Sequence, residues 1–133
     1  MKPSHENKLR HVIIGVGAGV LGMHRPALTL DSVELVGASD VNVALGQKNA
    51  NELGCPFFAD YKEMLETTKP DVAVILAPHP FHAALTIDCL NAGAHVLVEK
   101  PMAVQVSEAD AMIAAAEANQ KHLAVSFQQR FRP

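Results

Sequence analysis

The sequence has few of the residues that mark specialised protein classes. It contains two cysteines, Cys55 and Cys89, no tryptophan and one tyrosine, and its formal net charge is −3. Neither cysteine has the spacing of a zinc site or of a disulfide framework, so both are expected to be reduced and buried. The lack of a basic excess argues against nucleic-acid binding, and we expect no nucleic-acid partner.

Long apolar runs are also absent. No stretch approaches the ~20 residues of a transmembrane helix. Residues 1–10 are polar and charged, without the apolar segment of an export signal. These absences predict a cytoplasmic protein that makes no membrane contact, with residues 1–10 as a flexible tail. The hydrophobic residues are mainly Val, Ile, Leu and Ala, which suit helices packed on a parallel sheet.

Short apolar runs alternate with segments of helical periodicity over residues 11–133, which we interpret as one α/β domain. Because parallel strands joined by helices form right-handed crossovers, this alternation predicts a Rossmann-type doubly wound sheet with strand order 3-2-1-4-5-6. The predicted strands are 11–16, 33–39, 56–59, 71–77, 95–98 and 123–127, and the predicted helices are 19–30, 43–53, a short helix after residue 60, 81–92 and 107–121.

Capping residues indicate where several helices begin and end. Asp60 is predicted to cap the third helix with Glu63 as its capping-box partner, and Ser107 is predicted to cap the fifth helix with Asp110. Gly54 follows a helical segment at the position where a left-handed glycine commonly ends a helix.

A glycine-rich turn follows the first predicted strand. Two registers fit a dinucleotide-binding turn: Gly17, Gly19 and Gly22 match G-x-G-x-x-G directly, whereas a turn that starts at Gly15 places Val20 at the third position. We favour the turn that starts at Gly15, because that residue lies closer to the end of the strand.

Such a turn is suited to a pyrophosphate, since the helix that follows offers free N–H groups and the positive end of its dipole. A methyltransferase turn is disfavoured, because its usual acid two residues before the first glycine is Ile13 here. A purely structural glycine turn remains the alternative. The predicted cofactor contacts in this segment are Gly15, Gly17, Gly19, Val20 and Leu21.

Asp40 follows the second predicted strand, about 20 residues beyond the glycine turn, which is the spacing of the dinucleotide fingerprint. A carboxylate there accepts hydrogen bonds from the adenosine ribose and repels a 2′-phosphate, so Asp40 favours NAD over NADP as the cofactor. The alternative is that Asp40 caps the helix that starts near Asn42.

The fourth and fifth predicted strands bring polar residues to the same edge of the sheet, where ligands of open α/β sheets bind. His79 and His82 have the spacing of a metal pair, but no further ligands are predicted nearby, so no metal site is expected. The candidate cofactor contacts at this edge are Ala77, Pro78, His79, His82, Glu99 and Lys100, with Gln128 beyond strand six.

Taken together, these segments resemble the Gfo/Idh/MocA (glucose–fructose oxidoreductase / inositol dehydrogenase) family over nearly the whole chain. The most specific segment is residues 92–101, AGAHVLVEKP. The other matching features are the glycine turn followed by His24, Asp40, the P-x-x-x-H segment 78–82 and the terminal QRF at 129–131.

The resemblance implies the dinucleotide-binding domain of a longer oxidoreductase that acts on a CH–OH group of a sugar, inositol or related polyol. It implies that the C-terminal substrate domain is absent here, that this fragment is inactive alone, and that the full-length protein is a homo-oligomer. It also places Lys100 beside the nicotinamide and the reacting hydroxyl, as the catalytic residue, while an acid–histidine pair lies in the missing domain.

The chemistry of Lys100 agrees with that role, because an ammonium group stabilises negative charge that develops on the substrate oxygen. Glu99 could orient Lys100, and a cis bond to Pro101 is compatible with the low cost of cis X–Pro peptides. For His24, packing and cofactor contact are both open. Two other functions remain as alternatives: a non-catalytic dinucleotide sensor, against which Lys100 argues, and a different NAD-dependent reaction such as glycoside cleavage.

Overall fold

The computed structural model describes residues 8–127. The strands are β1 Leu9–Ile14, β2 Val33–Ser39, β3 Phe57–Phe58, β4 Val72–Ile75, β5 His95–Glu99 and β6 Leu123–Ser126. The helices are α1 Leu21–Leu28, α2 Val43–Leu53, α3 Tyr61–Thr68, α4 His82–Asn91 and α5 Val106–Asn119, with a short 3-10 helix His79–Phe81 before α4. Neighbouring strands pair in parallel in the order β3-β2-β1-β4-β5-β6, which confirms the predicted fold.

The central strands are apolar on both sides because helices cover both faces of the sheet. In β1, Val12 and Ile14 belong to the core cluster that also contains residues of α3, α4 and α5. Ile13, between them in sequence, belongs to the opposite cluster with residues of α1 and α2. Since successive side chains of a strand point to opposite faces, β1 separates the two halves of the core.

The first strand begins earlier than the sequence indicated. Leu9 and Arg10, predicted as the end of a flexible tail, are the first two residues of β1. The backbone N–H of Arg10 donates to the Asp71 carboxylate at 2.8 Å, so a long-range contact fixes this strand end. The predicted tail residues 1–7 lie outside the described part of the chain.

The ends of two helices differ from the prediction. α1 begins at Leu21 and not at Gly19, because the preceding backbone forms a tight turn in which the Leu21 N–H donates to the Ala18 carbonyl at 3.1 Å. In α5 the N-cap is Gln105, whose N–H donates to the Glu108 carboxylate at 3.0 Å. The predicted cap, Ser107, is therefore inside the helix. The capping box exists, but it was predicted two residues too far along the chain.

Other boundaries agree more closely. Asp60 caps α3 as predicted: its carboxylate accepts the Lys62 N–H at 2.9 Å. Gly54 ends α2 with a left-handed φ of 76°. Of the described residues, no helix is both long and apolar enough to cross a membrane.

Candidate functional site

A cavity of about 770 Å³ lies at the carboxyl ends of β1, β2, β4 and β5. β1 is bordered by β2 on one side and β4 on the other, so the direction of the crossovers reverses here, as in other open α/β sheets with a ligand crevice. Most of the predicted site residues line this cavity: Gly15, Gly17, Gly19, Val20, Asp40, Ala77, Pro78, His79, Glu99 and Lys100.

Gly15 brings the tips of β1 and β4 into backbone contact. Its φ is +95°, and a Cβ atom at this position would lie 2.5 Å from the Ala77 nitrogen and 2.7 Å from the Leu76 carbonyl carbon. A Cβ atom at Gly17 would lie 2.9 Å from an Asp40 carboxylate oxygen. Gly15 is therefore sterically required, because the crowding atoms belong to backbone, and this supports the turn register that starts at Gly15. At Gly17 the crowding atoms belong to the Asp40 side chain, so a Cβ atom there would displace that carboxylate.

Beyond Gly17 the turn is open toward the cavity. A Cβ atom at Gly19 would meet nothing within 4 Å. The N–H groups of Gly19 and Val20 donate to no other residue between 8 and 127. Two adjacent backbone donors with free space in front of them suit a phosphate anion at the start of a helix.

Leu21 was predicted to contact the cofactor, and the structure places it elsewhere. Its side chain is buried in the core beneath the turn, with 3% of its surface exposed. Its N–H is also occupied, by the Ala18 carbonyl. Leu21 is therefore a core residue at the start of α1.

Asp40 is tied to the protein through both carboxylate oxygens. Oδ2 accepts the Gly17 N–H and Oδ1 accepts the Asn42 N–H, each at 2.8 Å. The cap of α2 is Asn42 itself, whose side chain accepts the Leu45 N–H at 3.1 Å. Asp40 thus connects the glycine turn to the start of α2 while lining the cavity, so its predicted ribose role and its structural role are compatible.

Lys100 is exposed, and Glu99 immediately before it is buried. The peptide bond between Lys100 and Pro101 is cis. Pro78 and His79, at the tip of β4, line the same cavity. The segment around Lys100 therefore faces the glycine turn across the crevice.

His82 was predicted as a cofactor contact, but it lies beneath the cavity and is 0% exposed. Its Nε2 lies 2.7 Å from the Ala77 carbonyl oxygen and its Nδ1 lies 2.7 Å from the Pro101 carbonyl oxygen. Carbonyl oxygens only accept hydrogen bonds, so a ring nitrogen that carries a proton donates to the carbonyl that faces it. The contacts occupy both ring nitrogens, which leaves neither for a metal.

A buried pair between His24 and Glu99 was not foreseen. His24 Nε2 on α1 lies 3.2 Å from Glu99 Oε2 at the end of β5, and the two residues are 9% and 8% exposed. They are 75 positions apart in the chain. The sequence offered only the position of His24 after the glycine turn as a signal.

The side of the cavity near Asp40 also contains residues that the sequence analysis did not select. Tyr61 lines it, and its hydroxyl donates to the Asp88 carboxylate on α4. Burial and this hydrogen bond raise the pKa of Tyr61, so the phenol stays protonated and the ring is anchored. Applying the strand-end rule to β2 and β3 would have found some of the additional lining residues, among them Val41, Asn42, Ala59 and Tyr61. Leu45 on α2 and Phe81 before α4 also line the cavity.

The remaining predicted contact, Gln128, lies outside the described residues. A second groove of about 460 Å³ between α5 and β6 contains none of the predicted site residues. The candidate functional site is therefore the cavity at the carboxyl ends of the strands. It has backbone N–H donors at one end, a carboxylate on one wall and an ammonium group at the other end.

Residues 9–127 match an oxidoreductase family described as having an NAD-binding Rossmann fold, Gfo/Idh/MocA. The D-glucoside 3-dehydrogenase of Escherichia coli K12 is 35% identical over 125 residues, which are 92% of this chain and 36% of that protein. This chain therefore spans about a third of the length of such relatives.

Solved structures with this fold include dehydrogenases. The myo-inositol 2-dehydrogenase of Lactobacillus plantarum superposes with a TM-score of 0.83 at 33% identity, over 94% of this chain and 38% of that one. The WlbA dehydrogenase of Bordetella pertussis, solved with NADH and UDP-GlcNAcA, superposes with a TM-score of 0.87 at 29% identity, over 92% of this chain and 38% of that one.

Proposed function

Because the chain belongs to the Gfo/Idh/MocA oxidoreductase family and matches its NAD-binding Rossmann portion, we propose that it holds NAD(H) for an oxidoreductase. The substrate would be a sugar, inositol or related polyol, oxidised or reduced at a CH–OH group. One observation carries the proposal: the glycine turn, Asp40 and Lys100 line a single cavity at the point where the strand order reverses.

The residues present fit a dinucleotide. The open N–H groups of Gly19 and Val20 would hold the pyrophosphate, because they adjoin free space at the start of α1. Asp40 would accept the adenosine ribose hydroxyls with its remaining lone pairs, since each carboxylate oxygen can accept more than one hydrogen bond. Pro78 and Lys100 would lie at the nicotinamide end of the cavity.

We infer a preference for NAD over NADP from the charge of Asp40. A 2′-phosphate placed next to this carboxylate would be repelled, and a ribose hydroxyl would be bound. Two backbone N–H groups donate hydrogen bonds to the Asp40 carboxylate and hold it in place. The carboxylate cannot turn away from a phosphate without breaking those bonds.

A nicotinamide held near Pro78 and Lys100 would supply hydride chemistry at the carbon that carries the substrate oxygen. Lys100 acts on that oxygen: its ammonium stabilises the negative charge and can exchange a proton with it. The residues that bind the substrate and complete the proton transfer would lie in the rest of a longer protein.

The cofactor proposal is tested by isothermal calorimetry with NADH and NADPH on the wild type and two variants. Asp40→Asn keeps one oxygen for the Gly17 N–H, gives up the acceptor for the Asn42 N–H and removes the charge. NADH should therefore bind about tenfold more weakly, because hydrogen bonds to charged groups contribute roughly 1.5–3 kcal/mol. NADPH should bind more tightly than to the wild type. Asp110→Asn, on the exposed face of α5, is the matched control and should change neither affinity.

The proposal fails if the folded wild-type chain binds neither cofactor at millimolar concentration. The NAD preference alone fails if the wild type binds NADPH as tightly as NADH.

A further inference from the structure

We propose that two buried histidines, His24 and His82, are positioning residues that fix Lys100 by holding the residues on either side of it. The inference deepens the proposed function and rests on it, since Lys100 matters only if a nicotinamide lies in the cavity. Residues 99–101 form the lysine segment.

The first anchor acts on the residue before Lys100. Glu99 lies at the end of β5 with 8% of its surface exposed, and its Oε2 is 3.2 Å from His24 Nε2. A carboxylate withdrawn from water in this way needs hydrogen-bond donors, and His24 is placed to supply one of them. His24 stands one turn into α1, directly after the glycine turn, so it joins the phosphate end of the cavity to the lysine segment.

The second anchor acts on the residue after Lys100. The Pro101 carbonyl oxygen is 2.7 Å from His82 Nδ1, and the Ala77 carbonyl oxygen is 2.7 Å from Nε2 of the same ring. His82 is the first residue of α4 and is fully buried. Its ring therefore connects the tip of β4, which precedes Pro78, with the lysine segment on β5.

Together the anchors constrain a side chain that is flexible on its own. Lys100 is exposed at the cavity wall, and lysine has a four-carbon stem with many rotamers. Holding the Glu99 side chain before it and the Pro101 carbonyl group after it restricts where the ammonium can lie. Catalytic groups need such placement, because displacement by about 1 Å can reduce rates a hundredfold. Neither histidine needs to touch the cofactor for this role.

The charge of a nicotinamide supplies a direct test. NAD⁺ carries a positive ring and NADH a neutral one, so an ammonium held beside the ring weakens NAD⁺ binding relative to NADH. The ratio of the two dissociation constants thus reports where the charge of Lys100 lies. ADP-ribose lacks the nicotinamide and reports on the rest of the cavity.

The experiment measures binding of NAD⁺, NADH and ADP-ribose to the full chain. Lys100→Met should change the ratio of the NAD⁺ and NADH dissociation constants in favour of NAD⁺ by about threefold or more, which is the size of the interaction between two unit charges roughly 6 Å apart at a water-like dielectric constant of about 80. His24→Leu and His82→Leu should shift it in the same direction and leave ADP-ribose affinity within about twofold.

The double variants decide whether the histidines act through the lysine. In the Lys100→Met background, adding His24→Leu or His82→Leu should not move the ratio further, as expected for residues in one coupled unit. His24→Gln keeps an amide donor near the position of Nε2 and should retain the wild-type ratio. If His24→Leu does not fold, His24→Asn, whose shorter side chain cannot reach Glu99, takes its place and should shift the ratio.

The outcomes separate the inference from the proposed function. If the wild type binds none of the three ligands, the proposed function fails. Suppose that it binds them and that Lys100→Met shifts the ratio of the NAD⁺ and NADH dissociation constants. The positioning role is then wrong if the single histidine variants leave this ratio unchanged. It is also wrong if they shift the ratio as much in the Lys100→Met background as in the wild type. The positioning role is also wrong if Lys100→Met itself has no effect on the ratio.

Discussion

At the scale of single residues, Gly15 allows a contact that no side chain would permit. Its φ of +95° is rare for residues with a Cβ atom, and a Cβ atom here would lie 2.5 Å from the backbone of Ala77. The neighbouring atoms belong to backbone at the tip of β4, so they cannot move aside as a flexible side chain can. The two strand tips that frame the cavity depend on this absence of a side chain.

Gly15→Ala should lower the free energy of unfolding by about 2 kcal/mol or more, because backbone strain and the clash act together. Gly19→Ala is the matched control in the same turn, where an added Cβ meets nothing within 4 Å. Its effect on unfolding should be within about 0.5 kcal/mol. Urea denaturation of the chain without cofactor checks both values, and equal losses in the two variants would contradict the steric explanation.

At the scale of secondary-structure elements, the edge strand β6 is held at its start by a histidine pair. The His122 N–H donates to His95 Nδ1 at 2.9 Å, and the two rings stack with centroids 5.1 Å apart. A ring nitrogen accepts a hydrogen bond only when it carries no proton. Burial, followed by the charges of Lys121 and His122, lowers the pKa of His95, while Asp71 opposes the shift.

The lowered pKa of His95 makes this attachment sensitive to acid. A histidine whose pKa is lowered on folding is neutral in the folded state while the unfolded chain takes up a proton. Its contribution to stability is present above the unfolded pKa of 6.5 and declines as the pH falls below that value, until the folded form is protonated as well. Acidification should therefore loosen the attachment of β6 to β5.

His95→Asn provides the comparison, because an amide oxygen can accept the His122 N–H and does not titrate. Between about pH 7.5 and about pH 5.0 the wild type should lose more unfolding free energy than this variant, and amide hydrogen exchange in β6 should accelerate more. Identical pH profiles for the two proteins would show that His95 does not contribute through its protonation.

At the scale of the whole molecule, the sheet divides the core into two clusters that share β1 and β4. Ile13 lies in the cluster under α1 and α2, and Met112 lies in the cluster under α3 to α5, each 0% exposed. Because both clusters rest on the same strands, neither half can unfold and leave the other intact. We expect a single cooperative transition.

Ile13→Ala and Met112→Ala should each cost about 2–5 kcal/mol, as large-to-small core substitutions do. Both should move one transition, observed at the same denaturant concentration by circular dichroism and by the fluorescence of Tyr61, the single tyrosine of the chain. Ile113→Ala, next in sequence to Met112 but 45% exposed, should cost much less. Two separate transitions in either core variant would mean that the faces unfold independently.

Features that depend on chain order and on short periodic patterns could be predicted without coordinates. Alternating apolar runs and helical segments specified the strand order, because right-handed crossovers leave few topologies. The glycine turn, Asp40 and Lys100 could be assigned to one edge for the same reason: the carboxyl ends of parallel strands meet there. The Asp60 cap and the Gly54 helix end were also local enough to predict.

Contacts between side chains far apart in the chain emerged only from the folded arrangement. The pairing of His24 with Glu99 spans 75 positions, and it depends on where α1 packs relative to β5. Leu21 is a core residue because the first turn of α1 packs it into the cluster that contains Ile13. His82 lies beneath the cavity with its two ring nitrogens 2.7 Å from backbone carbonyl oxygens of two different segments. No local pattern encodes such contacts, since they form when helices pack on the sheet.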